Sequence, residues 1–417
     1  MNHENSYLPL NIPMLCRSAS YQGMGGPVWS IRALLKEQDS HPEDGISLSA
    51  VLYDGIFRKS SGFADLRMKS SHKSFLPGSL EYVFQAVASV PRMLNNINTE
   101  VKHNKGYFVL HCHDFITAYL CRRRFGQRYP LLLTIHAKGG GRREVLMDYP
   151  ILRRTPISIL TKHIEDTATR QADIVAFPSG GARDLFIQEH PGLLCDKDVR
   201  VVHAGIDVDE LLKDADNPSI LEKYSIPSGK HLIISIAAMV QDKGLDTLIE
   251  AIGQLPEGIK SYCFCLIVGR EGPLKDQVKR LILEYQLQDI VRLVGFLPRM
   301  DMVQLVHQAT LFVLPSRVAV FDVVLLEAAA LGTAIITSAI GGNLEMFDSE
   351  SALFVQPGDP QELANALIKA ISYEELRNIT SEKALERVRT RFSIRALFNS
   401  YVGIYKELAG SISSSKT

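Results

Sequence analysis

Short apolar segments alternate with amphipathic segments along the second half of the chain. The apolar segments are rich in Val and Ile, and nearly all of them precede a helix-like stretch; they are residues 232–236, 264–268, 291–294, 311–314 and 333–337. A continuous apolar run fits a strand that is buried on both faces, and strand–helix alternation is typical of a parallel sheet. The pattern therefore predicts a doubly wound α/β domain.

The first half shows the same alternation less clearly. Predicted strands lie at residues 14–16, 108–110, 131–135 and 173–177. The polar stretch Asp207–Ser228 then interrupts the pattern, which predicts two domains, 1–205 and 206–392. An amphipathic stretch from Ser393 predicts a final helix, with a small, polar tail that reaches residue 417.

Composition excludes several classes of protein. The 417 residues are 46% hydrophobic and 22% charged, which is ordinary for a globular protein and unlike a disordered, collagen-like or coiled-coil chain. No apolar run is long enough to span a bilayer, and the amino terminus lacks the pattern of a signal peptide. The six scattered cysteines predict buried, reduced thiols in a cytoplasmic protein.

The net charge of zero conceals an asymmetry between the two halves. There are 25 basic and 19 acidic residues up to Gly205, against 21 and 27 after it, so the halves carry +6 and −6. Two interpretations stay open: solvated surfaces of opposite bias, or a basic half that meets an anionic acceptor or a membrane surface. The balanced total gives no indication of a nucleic-acid partner.

Candidate chemistry follows the predicted strands, because ligands of open parallel sheets bind at the carboxyl ends of the strands. Gly25 and Gly26 follow the first strand, where a turn or a phosphate site is equally compatible with the residues. His111 and His113 follow the next predicted strand, and His136 follows another. With no further cluster of Cys and His nearby, this spacing does not favour a metal, and a site without a metal is expected.

The second half has four such positions. Lys243 precedes a predicted helix, where an ammonium suits an anionic ligand, although a lysine there can equally be an exposed cap. Gly269–Pro273 and Gly295–Pro298 fit either binding loops or ordinary turns. Glu327 lies in a strongly apolar helical stretch, and the alternatives are a salt-bridged residue or a carboxylate that binds hydroxyl groups of a ligand.

Two basic segments of the first half carry alternatives as well. The glycine-rich loop with Lys138, Arg142 and Arg143 either holds an anionic acceptor or phosphate, or is simply solvated. The triple Arg122–Arg124 predicts a solvated helix face, with membrane contact as the alternative.

Several short motifs occur in an order and at a spacing that resemble the retaining GT-B glycosyltransferases of glycosyltransferase family 4. In the second half they are Lys243-Gly244, Val268-Gly269 with Gly272-Pro273, Gly295-Phe296, Leu314-Pro315-Ser316, Leu325–Ala328, and Gly341-Gly342 with Glu345. The first half adds Gly25-Gly26, His111-x-His113-Asp114, Thr134-x-His136 and His203–Asp207. The resemblance covers most of the chain, whereas residues 40–105 match nothing in the family.

The resemblance implies two Rossmann-like domains that face a cleft. Residues 1–205 would form the acceptor-side domain, 206–392 the domain that binds the nucleotide sugar, and 393–417 a helix that crosses back. It implies a metal-independent transfer from a nucleotide-diphosphate sugar, expected to be a UDP-sugar, to an acceptor hydroxyl with retention at the anomeric carbon. The acceptor would be a small molecule, a saccharide or a lipid-linked molecule, and peripheral membrane contact is compatible with it.

Residue roles follow from the same resemblance. Lys243 would neutralise the diphosphate, Glu327 would bind the ribose hydroxyls, and His113 would act near the donor sugar. Other expected donor contacts are Gly25, Gly26, His136, Gly295, Phe296, Leu297 and Asp322. The leaving phosphate would take the acceptor's proton, unlike the pair of carboxylates that glycoside hydrolases use.

The sequence departs from the family pattern at two functional positions. Ala319 stands where the family usually has a sugar-binding Glu, and Ala238 where it usually has a phosphate-binding Arg. Three explanations stay open: a donor that lacks the hydroxyl group, replacement by Asp322 and by Arg270 or Arg317, or a non-catalytic relative that binds nucleotide sugars. An epimerase or a phosphorylase is a weaker alternative.

Overall fold

The polypeptide forms two compact units, of which the first contains both ends of the chain. The computed structural model describes residues 10–16, 27–41, 45–52, 55–59, 91–102, 107–136, 139–148, 150–213 and 215–414. The first unit is Met1–Gly205 together with Ile394–Thr417, and the second is Ile206–Ser393. The last helix therefore belongs to the first unit.

The first unit is built on a sheet that is parallel except at one edge. Its described strands are β1 (Leu10–Cys16), β2 (Ile46–Leu52), β3 (Gly55–Phe57), β4 (Tyr107–Phe108), β5 (Leu110–Cys112), β6 (Leu131–Thr134), β7 (Ile174–Phe177) and β8 (Asp198–Val201). They are ordered β3-β2-β1-β5-β6-β7-β8, with β4 also paired to β1 and only β3 antiparallel among the pairs described. The strand order reverses between β1 and β5, so a ligand-binding crevice is expected where these two strands end.

Helices of the first unit follow the strands. Those described are α1 (Pro27–Ser40), α2 (91–102), α3 (Phe115–Phe125), α4 (Gly141–Asp148), α5 (Pro156–Gln171), α6 (Gly180–Glu189) and α17 (Ile394–Ser414). One hydrophobic core joins β1 and β2 to α1 and α17, and it includes Ile12, Leu48, Leu34, Phe398 and Tyr401. The final helix thus supplies part of the core that covers the first sheet.

The triple arginine of α3 does not form one solvated face. Arg122 is buried and donates hydrogen bonds to the Asp173 carboxylate and to three backbone carbonyls, so this guanidinium ties α3 to the loop before β7. The prediction was therefore wrong for Arg122, because a buried cation paired with a carboxylate satisfies carbonyls that would otherwise lack donors. Only Arg123 and Arg124 are exposed.

The second unit has a fully parallel sheet in its described residues. Its strands are β9 (His231–Ile236), β10 (Cys263–Val268), β11 (Val291–Val294), β12 (Leu311–Leu314), β13 (Ala334–Ser338) and β14 (Leu353–Val355). Their order is β11-β10-β9-β12-β13-β14, and Cys263 lies opposite His231 in the register of β10 and β9. Every residue of β10 is buried, as expected for a central strand with helices on both faces.

Ten helices of the second unit lie within the described residues. They are α7 (Val208–Leu212), α8 (Ser219–Lys223), α9 (Leu245–Gly253), α10 (Glu257–Lys260), α11 (Lys275–Glu284), α12 (Arg299–His307), α13 (Val323–Ala330), α14 (Asn343–Met346), α15 (Pro360–Ser372) and α16 (Glu374–Arg391). The polar stretch after Gly205 thus contains two short helices. Five of the six cysteines are buried as predicted, and Cys195 is exposed. Across the described residues of both units, no helix is long and apolar enough to cross a bilayer.

Candidate functional site

The strand order of the second sheet identifies one crevice as the place to look for a ligand. β9 pairs with β10 on one side and with β12 on the other, so the connections wind in opposite directions from β9. Ligands of doubly wound sheets bind outside the carboxyl ends of the strands at this reversal. Lys243 follows β9, whereas Asp322 and Glu327 follow β12, so the sequence brings all three to this point.

The loops that follow β9 and β12 are in close contact. Gly244 has a φ of 63°, and a Cβ at this position would lie 2.0 Å from the carbonyl oxygen of Pro315. The backbone N–H of Arg317 donates a 2.7 Å hydrogen bond to the Asp242 carbonyl. Only glycine permits both the left-handed conformation and this approach, so the Lys243-Gly244 motif fixes Lys243 against the end of β12.

Lys243 is paired with the carboxylate of Asp322. The Lys243 ammonium contacts Asp322 Oδ1, and their side chains are 17% and 8% exposed. The Ser316 hydroxyl donates a 2.8 Å hydrogen bond to the other carboxylate oxygen of Asp322. The lysine is therefore neither an exposed cap nor a free charge, and Asp322, expected as a donor contact, is its partner.

Glu327 projects from the fifth position of α13. Its Oε1 accepts a 2.9 Å hydrogen bond from Arg299 Nη1, whereas Oε2 accepts none within the described part of the chain. Asp322 is the residue directly before α13, five positions ahead of Glu327. Glu327 is thus salt-bridged through one oxygen, and its expected contact with ligand hydroxyl groups stays a prediction.

The predicted nucleobase segment follows β11, at the far edge of the same sheet. The backbone N–H of Gly269, after β10, lies 3.3 Å from the carbonyl oxygens of both Val294 and Gly295. The Phe296 ring is 65% exposed, whereas Leu297 is buried. Arg299, the partner of Glu327, begins α12 directly after this segment, which links the Gly295–Leu297 loop to α13.

The two arginines considered as substitutes for the missing cation differ in their contacts. Arg317 donates to the Asp246 carboxylate and to the Thr247 hydroxyl, so its guanidinium is already neutralised. Arg270 is exposed, and its guanidinium makes no hydrogen bond to any residue that the structure describes. Its carbonyl accepts a 3.0 Å hydrogen bond from the N–H of Met239, the neighbour of Ala238. Arg270 is therefore the available cation beside the departure at Ala238.

Three histidines meet at the strand-order reversal of the first sheet. His111 Nδ1 lies 2.7 Å from Tyr405 Oη, and its Nε2 lies 2.8 Å from Thr134 Oγ1. His113 Nδ1 lies 2.9 Å from His136 Nε2, and the N–H of His113 donates to the Leu15 carbonyl at the end of β1. The three histidines, which follow two different strands, are thus in contact with one another, and the site expected there stays a prediction.

The histidine cluster is held in its neutral form by burial. Desolvation lowers the pKa of His136 to about 4 and lowers the pKa values of His113 and His111 well below the usual range, with a further contribution from the neighbouring histidines. The Nε2 atom of His113 is buried and has no hydrogen-bond partner in the described part of the chain. A neutral imidazole with one unsatisfied nitrogen is suited to bind a polar group of a ligand.

The basic loop of the first unit is fixed at its helical end. Arg142 donates to the carbonyl and the hydroxyl of Ser158, and Arg143 forms a 3.2 Å ion pair with Glu189. The buried Glu165 carboxylate accepts from the N–H groups of Gly141 and Arg142, and burial raises the pKa of Glu165 to about 7. Arg143 is thus partly neutralised by Glu189, whereas the side-chain hydrogen bonds of Arg142 go to uncharged groups. The remaining predicted residues Lys138, Gly25 and Gly26 lie outside the described residues.

Several site residues were not identified from the sequence. Arg299, Tyr405 and Glu165 each contact a residue or loop that the sequence did single out, from a distant position in the chain. Each lies on a helix without a local motif, so spacing alone carries no signal for it. Among the described residues, no group of three or more His, Cys, Asp or Glu side chains is arranged to hold a metal ion.

Two family models match consecutive parts of the chain. The model described as Glycosyltransferase Family 4 matches residues 63–210, and the model described as Glycosyl transferases group 1 matches residues 216–387. The second match contains Lys243, Glu327 and the Gly295–Leu297 loop.

Curated proteins and solved structures resemble most of the chain. It is 25% identical over 314 residues to the N-acetyl-alpha-D-glucosaminyl L-malate synthase of Bacillus anthracis, covering 74% of this chain and 77% of that protein. The sucrose-phosphate synthase of Thermosynechococcus elongatus superposes with a TM-score of 0.72 at 18% identity, over 96% of this chain and 100% of the other. Anabaena HepE in complex with UDP and glucose superposes with a TM-score of 0.68 at 17% identity, over 95% and 99%. At these identities the solved structures establish a shared fold.

Proposed function

We propose that this chain, which is a glycosyltransferase with the GT-B fold, transfers a sugar from a UDP-sugar to an acceptor hydroxyl with retention at the anomeric carbon. The observation that carries the proposal is the Lys243–Asp322 pair at the strand-order reversal of the second sheet, with Glu327 on the helix that follows Asp322. An ammonium and a partly free carboxylate at this spacing suit the diphosphate and the ribose of one nucleotide. Anabaena HepE shares the fold of this chain, and its structure was solved in complex with UDP and glucose. This complex supports the proposal of a UDP-sugar as the donor.

The proposed chemistry rests on stabilising the leaving group. Cleavage of the bond between the sugar and the diphosphate builds negative charge on the phosphate oxygens. Lys243 neutralises that charge, and the leaving phosphate accepts the acceptor's proton on the same face of the sugar. We propose that this transfer needs no metal ion. In the first unit, His113 contributes its unsatisfied Nε2 to a hydroxyl group of the substrates.

The proposal is tested by turnover of a panel of nucleotide sugars. The protein is incubated with UDP-, GDP- and ADP-sugars and a set of saccharide and small-molecule acceptors, with and without a metal chelator, and free nucleoside diphosphate is measured. We expect UDP release from one sugar that is unchanged by the chelator, and an α-linked product from an α-linked donor by NMR. Binding of UDP without turnover of any donor would favour the alternative of a non-catalytic relative.

The departure at Ala319 bears on the identity of the sugar. Ala319 is buried, and a Cβ on Gly341 would lie 2.0 Å from its carbonyl oxygen, so the loop is held against the Gly341-Gly342 motif. A methyl group at this position offers no hydrogen bond to a sugar hydroxyl. We propose that the donor sugar lacks the hydroxyl that the family usually binds here, as a deoxy sugar does.

Replacement of Glu327 by Ala is expected to weaken nucleotide binding by about 1–3 kcal/mol, the usual cost of losing a buried hydrogen bond to a charged group. Isothermal titration calorimetry with UDP measures the change. The control is Glu350→Ala, which removes a surface carboxylate of the same unit that is paired with Lys383. Equal UDP affinity in the Glu327 variant and the wild-type protein would reject the assignment of Glu327 to the ribose.

Replacement of Arg270 by Gln is expected to lower turnover about tenfold, because a partly exposed cation contributes about 1 kcal/mol to the transition-state charge. Steady-state kinetics measures the effect, with the donor that the panel of nucleotide sugars identifies. The control is Arg317→Gln, whose guanidinium is occupied by Asp246, together with a thermal unfolding scan for each variant. If Arg317→Gln alone lowers turnover at unchanged stability, Arg317 and not Arg270 supplies the cation.

A further inference from the structure

The first two turns of α5 expose two large aliphatic side chains, although Ile157 in the same turns packs inward. The buried positions of this helix are Ser158, Glu165, Ala168 and Thr169. In contrast, Ile159 and Leu160 face outward, with 75% and 56% of their surfaces exposed. A helix that packs on a globular core normally buries its apolar residues and exposes its polar residues. The outer face of α5 is therefore a candidate for contact with an apolar surface.

A third exposed apolar residue lies in the turn that precedes α5. Ile151 belongs to the 3₁₀ turn Pro150–Arg154 and is 73% exposed. Leu152 of the same turn is buried against Leu146 and Ile157, which fixes the turn to α4 and to the start of α5. Ile151 and Ile159 have the largest exposed fractions among the large hydrophobic residues that the structure describes, although only seven residues separate them.

The charged residues between Asp148 and Glu165 are all basic. Residues 149–164 contain Arg153, Arg154 and Lys162 but no Asp or Glu. Arg153 and Arg154 are exposed; Arg153 donates a 3.3 Å hydrogen bond to the Leu146 carbonyl, whereas Lys162 is paired with Asp166. Exposed aliphatic side chains interspersed with arginines are complementary to the acyl chains and anionic headgroups of a lipid surface.

We propose that residues 150–163, hereafter the α5 patch, dock on an anionic lipid bilayer. Ile151, Ile159 and Leu160 enter the boundary between headgroups and acyl chains, and the two arginines neutralise lipid phosphates. Three aliphatic side chains and two cations give a reversible attachment that weakens as salt screens the charges. Because the patch directly follows the basic loop of the first unit, it brings that unit to the surface where a lipid-linked acceptor resides.

The test is co-sedimentation of the full-length protein with vesicles, without nucleotide or acceptor. Vesicles of phosphatidylglycerol and phosphatidylcholine in equal parts are compared with phosphatidylcholine alone, at 0.05 and 0.5 M NaCl. We expect binding to the anionic vesicles that is at least tenfold stronger than to the neutral ones and that high salt weakens. Wild-type protein that stays in the supernatant under all conditions overturns the proposal.

Two variants separate the contributions of the patch. Ile159→Ser with Leu160→Ser is expected to reduce binding at least tenfold, and Arg153→Gln with Arg154→Gln to remove the preference for anionic vesicles. The control is Leu283→Ser with Ile379→Ser, which replaces two exposed residues of the second unit and leaves binding unchanged. Thermal unfolding establishes that each variant is folded, and equal binding by a folded variant of the patch contradicts the proposal.

A contact between two copies of the chain is the competing explanation for the exposed residues. Size-exclusion chromatography with light scattering is therefore run on the same proteins. We expect one oligomeric state for the wild-type protein and for the Ile159→Ser, Leu160→Ser variant. A wild-type oligomer that this variant dissociates would assign the patch to self-association and overturn lipid docking. The vesicle assay uses no donor, so its failure leaves the proposed function untouched.

Discussion

Replacement of Lys243 by Ala is expected to lower kcat about 100- to 1,000-fold while the KM for the donor changes much less. The charge on the leaving diphosphate is larger in the transition state than in the bound donor, so a cation that neutralises it acts mainly on kcat. Removal of one preorganised group of this kind costs about 3–4 kcal/mol of transition-state stabilisation in well-studied enzymes.

The measurement is steady-state kinetics with the donor found in the panel of nucleotide sugars. Lys243→Arg is included because it keeps the charge, and it is expected to retain more activity than Lys243→Ala. Lys383→Ala serves as the control, since Lys383 forms a surface ion pair with Glu350 in the same unit. A change confined to KM in Lys243→Ala, with kcat intact, would contradict the role assigned to this lysine.

A variant of Asp322 provides a second test of the role assigned to Lys243. The Asp322 carboxylate contacts the Lys243 ammonium, so we expect a diphosphate to compete with it for the lysine. Asp322→Asn removes that competition and one negative charge, and we expect tighter UDP binding by calorimetry. If Asp322 also binds the donor sugar, the same variant has a lower kcat. Weaker UDP binding would show instead that the carboxylate holds Lys243 in position.

The fold was largely predictable from the sequence because its signals are local. Runs such as Phe264–Val268 are buried on both faces. A strand of this kind is a continuous apolar run without polar positions, and such a run is easily recognised in the sequence. The predicted GT-B architecture is confirmed by the two sheets and by the solved structures that share the fold. Ile46–Leu52 and Gly55–Phe57 are two strands that the sequence analysis did not identify, because it found no motif between residues 40 and 105, although the family model matches from residue 63.

The site was predictable only as far as single positions allow. The sequence locates Lys243 and Glu327 after their strands, and the sheet order then brings them together. Their partners Asp322 and Arg299 could not be assigned from spacing, since an ion pair depends on which loops meet in three dimensions. Arg122 shows the same limit, because three consecutive arginines look equally solvated until one is seen to bind Asp173.

Acidification is expected to destabilise the first unit steeply between pH 6.5 and 4.5. His111 and His113 are buried and His136 is half-buried, and all three have lowered pKa values, so the unfolded chain binds protons near pH 6.5 whereas the folded unit does not. A group with a lowered folded pKa contributes stability above its unfolded pKa, and that stability is lost as the pH falls toward the folded value. Each histidine contributes up to about 1.4 kcal/mol per pH unit in this window.

Glu165 opposes the histidines in the same range of pH. Its pKa is raised to about 7 by burial, so the folded unit binds a proton that the unfolded chain has already lost, and stability falls as the pH rises from its unfolded value to about 7. The histidines with lowered pKa values, which include His190 in the same unit, outnumber Glu165, so we expect net proton uptake on unfolding and a stability that falls with the pH below 6.5.

Scanning calorimetry at half-unit steps from pH 7.5 to 4.5, analysed for the transition of the first unit, measures this proton uptake. His136→Gln is expected to lower the uptake by about one proton, and Glu165→Gln to raise it by about one, so the two variants shift the slope in opposite directions. His163→Gln is the control, since His163 is exposed on α5 and outside the cluster. A transition whose midpoint is constant across this range would mean that the cluster is accessible to protons in the folded unit, and the burial argument for His113 would then fail.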